Sequence, residues 1–166
     1  MKKNTDVTKP EATDQSLETV LSREEENAEI PVKIMLLREM QRHIYIRAPI
    51  DEVLLSILGN PNPPRSLWTI TRLGTSDVFY IRSYPETHLY MTYAPEMVNK
   101  VQARAYSGND DQKWIFTDIE PARGTYYICN IVRGNTYLTV HAENSSAINT
   151  TVYYGSSSQQ FAVHAV

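Results

Sequence analysis

Three stretches of the chain repeat one another, and a three-fold repeat of short strands leaves few folds open. The first block runs from Val32 through Ile-Met-Leu-Leu-Arg (34–38) and Ile-Tyr-Ile (44–46) to Ser-Leu-Trp-Thr-Ile (66–70). The second reads Val-Phe-Tyr-Ile-Arg (78–82), Leu-Tyr-Met (89–91) and Gln-Lys-Trp-Ile-Phe (112–116). The third reads Thr-Tyr-Tyr-Ile-Cys (125–129), Leu-Thr-Val (138–140) and Gln-Gln-Phe-Ala-Val (159–163). Trp68 and Trp114 are 46 residues apart, and Trp114 and Phe161 are 47 apart. From Ile44, Leu89 and Leu138 to the next large aromatic the distances are 24, 25 and 23 residues. No such block buries its apolar face alone, but three together close a barrel with the aromatics converging on its axis. A propeller needs more blades than this length holds, and an immunoglobulin-like sandwich does not repeat three-fold. The fold predicted is all-β, a β-trefoil with Trp68, Trp114 and Phe161 in its core.

The local pattern agrees. Strands are predicted at 33–37, 44–47, 67–71, 78–82, 89–93, 101–106, 113–118, 126–130, 137–141, 150–154 and 160–164. Turn signals separate them, among them Gly74-Thr75-Ser76-Asp77, Ser107-Gly108-Asn109-Asp110 and Arg133-Gly134-Asn135. Eleven tyrosines against three phenylalanines suit strands with amphipathic faces.

Charge divides the chain. Residues 1–29 hold four cations against eight acids and no aromatic or glycine, so the net charge of -3 belongs to this stretch and the rest is close to neutral. Residues 1–30 are therefore expected to form a disordered acidic tail, with a short helix at 16–26 as the alternative, and residues 31–166 the trefoil domain. A near-neutral body argues against a nucleic-acid partner held by bulk positive charge. One cysteine, Cys129, excludes an internal disulfide and a cysteine-rich zinc site, and mid-strand beside Ile128 it reads as a buried, inert thiol. Met1-Lys2-Lys3 leads into polar residues rather than an apolar run, and no stretch reaches membrane-spanning length. The expectation is a protein that is cytoplasmic, or released without a conventional leader, and not inserted in a membrane. Neither a Gly-x-Ser-x-Gly, a glycine-rich phosphate loop, nor a metal-type histidine spacing occurs, so no enzyme activity, cofactor or metal is expected.

The run Gly-Thr-Tyr-Tyr-Ile-Cys-Asn followed by Asn-Thr-Tyr-Leu-Thr-Val (124–140) and then Gln-x-aromatic resembles the repeats of ricin B-type lectins, most nearly their disulfide-free fungal members. The Gln-x-Trp hallmark stands whole at Gln112-Lys113-Trp114, and in altered form at Gln159-Gln160-Phe161 and Ser66-Leu67-Trp68. The resemblance covers residues 31–166 and implies a β-trefoil that binds glycans, galactose-type above all. Family members place an acid at the end of the second strand to take sugar hydroxyls, an aromatic platform after the third strand, and an Asn or Asp beside the glutamine. Here Tyr45, Tyr90 and Thr139 stand where the acid would be. The remaining candidates are Arg104, Tyr106, Asp111 and Gln112 in the second repeat, and His141, Tyr153 or Tyr154, Ser158 and Gln159 in the third. The first repeat, with prolines at 61, 63 and 64, is expected to carry no site.

Plainer readings stand beside these. Gln112 and Gln159 could serve only to bond turn backbone, and Tyr45 and Tyr90 could be rim residues. The body also resembles, more loosely, the mycocypin inhibitors of cysteine proteases. That resemblance implies a protease partner occluded by an extended loop at 59–65, held by its prolines. A homodimer is left open.

Overall fold

The computed structural model describes residues 31–36, 44–47, 54–57, 67–84, 88–97, 99–140 and 148–166. The acidic tail, the proline loop at 59–65, His43 and His141 lie outside the described residues. Twelve strands fall into three sets of four: β1 (Val32–Leu36), β2 (Ile44–Arg47), β3 (Leu54–Ile57) and β4 (Leu67–Arg72); β5 (Val78–Tyr84), β6 (Leu89–Ala94), β7 (Lys100–Ala105) and β8 (Lys113–Glu120); β9 (Thr125–Asn130), β10 (Thr136–Thr139), β11 (Asn149–Val152) and β12 (Phe161–Ala165). The first and fourth strands of each set form a closed antiparallel ring, β1-β4-β5-β8-β9-β12 and back to β1. Closure removes free edges from that ring. The middle strands pair as the hairpins β2–β3, β6–β7 and β10–β11. This is the β-trefoil.

Alternation drives the burial. Along β5, Phe79, Ile81 and Ser83 are buried, while Tyr80, Arg82 and Tyr84 face partly outward. Trp68, Trp114 and Phe161 are fully buried at equivalent places, each paired across the ring with Val32, Phe79 or Tyr126. The two indoles also satisfy buried backbone: Trp68 Nε1 donates to the Ile46 carbonyl and Trp114 Nε1 to that of Met91, both at 2.9 Å. Excluding such a ring from water stabilises the fold by up to about 3 kcal/mol.

Three sequence expectations need correction. Strand β3 was absent from the predicted strands, because 53–58 is an apolar run without clean alternation. In the first repeat Val32, not Met35, is the counterpart of Phe79, so 31–35 rather than 34–38 matches 78–82. In the third repeat the alignment moves by two residues. Thr92 and Thr139 receive the same glutamine bond, and Tyr90 and Tyr137 are register partners of Arg82 and Cys129. Tyr137, not Thr139, therefore stands at the place of Tyr90. Cys129 is buried, and burial pushes its thiol above the ordinary value.

Candidate functional site

The second and third repeats each display the same cluster of three tyrosines. Tyr80 comes from the outward face of β5, Tyr90 from β6, and Tyr106 from the residue after β7. Their ring centroids lie 5.7 Å (Tyr80–Tyr90), 5.5 Å (Tyr80–Tyr106) and 5.0 Å (Tyr90–Tyr106) apart, the first two pairs edge to face. Tyr127, Tyr137 and Tyr153 reproduce this at 6.0, 5.1 and 5.1 Å, with matching tilts. Each member of one trio is 47 residues from its counterpart. Tyr106 and Tyr153 are the exposed members, at 58% and 49%. Edge-to-face packing holds each ring while leaving apolar face and hydroxyl toward solvent.

A glycine lies under each exposed ring. Gly108 has φ +75° and Gly155 φ +68°, a conformation that L side chains avoid. A Cβ on Gly108 would come within 3.3 Å of the Tyr106 hydroxyl, and one on Gly155 within 3.5 Å of that of Tyr153. The loop thus folds the tyrosine back over its own backbone.

The Gln-x-aromatic glutamines lie beneath these loops. Gln112 is 1% exposed and Gln159 is 0%. Gln112 Nε2 donates to Thr92 Oγ1 (3.1 Å) and the Ala105 carbonyl (2.8 Å), while its Oε1 accepts from the Ser107 amide (2.8 Å). Gln159 Nε2 meets Thr139 Oγ1, Thr151 Oγ1 and the Val152 carbonyl at 3.1–3.2 Å, and its Oε1 accepts from the Tyr154 amide at 3.1 Å. Each amide fastens the second strand of its repeat to both sides of the exposed tyrosine. In these positions the glutamines hold the loops and do not reach solvent, as the plainer of the two readings of them has it.

The other candidates sort similarly. Asp111 is half-buried; its carbonyl accepts from Asn130 Nδ2 at 3.0 Å, and its Oδ1 is buried without a partner. Ser158, its counterpart, is buried and bonded to the Tyr154 and Ser156 hydroxyls at 3.0 Å. Of the pair Tyr153 and Tyr154, the first joins a trio. Arg104 is the register partner of Tyr90, so both share the outer face of the β6–β7 hairpin. Its Nε donates to Gln102 Oε1 at 2.8 Å, and its Nη2 pairs with Glu96, in the turn after β6. Thr151 occupies the matching place beside Tyr137.

Electrostatics distinguishes the hydroxyls. The Tyr106 hydroxyl, 3.5 Å away, and partial burial push Tyr80 up to about 12. Tyr153 is raised by the Tyr127 hydroxyl and by desolvation, and Tyr137 by desolvation. Arg104 holds the Glu96 carboxyl below the ordinary range. Tyr80, Tyr137 and Tyr153 therefore hold their protons well above neutral pH. Sequence reasoning missed Tyr80, Tyr127 and Tyr137 as site members, and Glu96 altogether; the 47-residue recurrence of all three tyrosines was the signal available. In the first repeat Lys33 stands at the place of Tyr80. Among the described residues no cluster of His, Cys, Asp or Glu is placed to hold a metal ion.

No protein family matches the chain by sequence pattern, and no curated protein matches it by sequence. Solved structures do. A mosquitocidal holotoxin superposes over 84% of this chain with a TM-score of 0.72 at 15% identity, although the chain spans only 17% of that toxin's length. The β-trefoil BEL matches over 84% of this chain and 95% of its own, at TM-score 0.66 and 14% identity. A Polyporus squamosus lectin, solved bound to Neu5Aca2-6Galb1-4GlcNAc, matches over 82% of this chain and 49% of its own, at TM-score 0.63 and 18% identity. These likenesses establish the trefoil fold.

Proposed function

We propose that this chain is a carbohydrate-binding trefoil of the ricin B type, with one glycan site on each tyrosine trio. The observation that carries the reading is the duplication of a solvent-facing trio in two repeats, with the loop under each held by a buried glutamine. A pyranose has an apolar face and a rim of hydroxyls. An exposed tyrosine ring meets the face, and neighbouring phenols meet the rim. The fold shared with the Polyporus squamosus lectin supports the same reading. Tyr106 and Tyr153 are the stacking residues, Tyr80, Tyr90, Tyr127 and Tyr137 the walls, and Gln112 and Gln159 positioning residues. The expected ligand is a neutral, galactose-type sugar.

The sites are weak for a single sugar. Neutral hydrogen bonds contribute about 0.5–1.5 kcal/mol each, against about 1.5–3 for bonds to charged groups. A few neutral bonds and one stacked ring place a monosaccharide near the millimolar range, about -4 kcal/mol. Useful avidity then comes from two sites on one chain. A glycan array followed by titration of galactose against amide shifts tests this. Shifts should map to Tyr106–Gly108 and Tyr153–Gly155, and each of Tyr106→Ala and Tyr153→Ala should abolish one set. Shifts elsewhere, or binding indifferent to both substitutions, overturn the proposal.

A further inference from the structure

The two trios are alike, but their flanks are not, and resting on the glycan reading above we infer that the second-repeat site accommodates a glycan at least two sugars long, whereas the third-repeat site accommodates only the terminal sugar. In the second repeat a polar row continues from the trio along the outer face of the β6–β7 hairpin. Arg104 is the register partner of Tyr90 and Gln102 that of Thr92. The Arg104 guanidinium leans over Gln102 (2.8 Å) and reaches Glu96 beyond the end of β6. Tyr90 and Ala94 bound this row, four residues apart on β6, or about 13 Å at about 3.3 Å per residue. The Arg104 and Glu96 side chains remain 39% and 54% exposed. They offer charged donors and a charged acceptor to hydroxyls of a sugar linked to the one on the trio.

The third repeat lacks this row among its described residues. Asn149 and Thr151 replace Gln102 and Arg104. The Thr151 hydroxyl turns inward, 2.8 Å from Thr139 Oγ1 and 3.2 Å from Gln159 Nε2, where it belongs to the loop fastening. Beside the exposed tyrosine, Val152 and Tyr154 stand exposed where the second repeat has Ala105 and Ser107. Among the described residues the flank of this site is therefore the more apolar of the two.

The test titrates the full chain with galactose and with the disaccharide N-acetyllactosamine, reading the amides of Gly108 and Gly155 as separate reporters. At Gly108 the disaccharide should bind about tenfold more tightly than galactose, and at Gly155 the two should agree within about twofold. Arg104→Thr should bring the Gly108 disaccharide affinity down to that of galactose. An equal gain at both reporters, or a gain that survives Arg104→Thr, overturns the inference and leaves the two-site reading standing. No shift at either reporter with either sugar overturns both.

Discussion

Replacing Gln112 by methionine keeps the length and apolar volume of the side chain and removes its amide, so it isolates the fastening from the packing. Three bonds are lost, to Thr92 Oγ1, the Ala105 carbonyl and the Ser107 amide. Thr92 is buried, but its hydroxyl still donates to the Tyr90 carbonyl at 2.9 Å, so it is not orphaned. Ala105 and Ser107 belong to an exposed stretch, and water recovers part of their bonding. A buried unpaired group costs about 1–3 kcal/mol; taking the lower end for the two backbone groups gives a destabilisation of about 2 kcal/mol. For a domain of this size that lowers Tm by about 6–8 °C. Urea unfolding should show a lower midpoint with unchanged slope. Amide shifts at 105–108 should move while those at 152–155 stay, and sugar binding should weaken at the second repeat alone. A loss under about 0.5 kcal/mol, with the 105–108 amides unmoved, would refute the fastening role. Gln159→Met should cost at least as much, since its amide holds two threonine hydroxyls and a carbonyl.

Trp114→Ala should destabilise the domain by about 3–5 kcal/mol in the same assay, the range for emptying a core aromatic site. Trp114→Phe, which copies the residue at 161, should cost about 2 kcal/mol, because the Met91 carbonyl loses the indole donor. The tyrosines give a pH test. Tyr80 sits at about 12 in the folded chain against 10.0 unperturbed. Below the lower value both states keep the proton. Between the two values the unfolded chain releases it first, so the contribution of the trio to stability falls as pH rises through that window. Ring-resonance titration should place one tyrosine near the upper value, and Tyr106→Phe, which removes the first cause, should return it toward the lower one.

The trefoil was legible because its determinants are periodic and buried. Large aromatics recur at a near-constant interval, and strands such as β5 alternate cleanly, so the sequence carries the same instruction three times. What failed was the register of the repeats, by three residues in the first and two in the third. Leu-Thr-Val at 138–140 looks like Leu-Tyr-Met at 89–91, and the bonds from Gln112 and Gln159 to Thr92 and Thr139 show that the true match lies two positions away. A two-residue slip keeps every side chain on its own face of the strand but moves it one place along that face. It therefore left Tyr137 out of account and put Thr139, a buried residue, in its place.

The trios were harder to see, because each gathers one residue from β5, one from β6 and one from the loop after β7. Sequence distance gives no hint that such residues touch. The glutamines left two readings open for the opposite reason, since a recurrent polar residue invites a ligand. Inside the fold that recurrence has a structural cause: a buried amide must be fully bonded, and here its partners are the backbone groups on either side of an exposed tyrosine. Arg104 and Thr151 then fall into place. The loop fastening and the core carry the repeat, while a residue on the outer face can change between repeats at little cost to the fold. Ligand preference can diverge there, at Arg104 and its row, while the tyrosine trios stay the same.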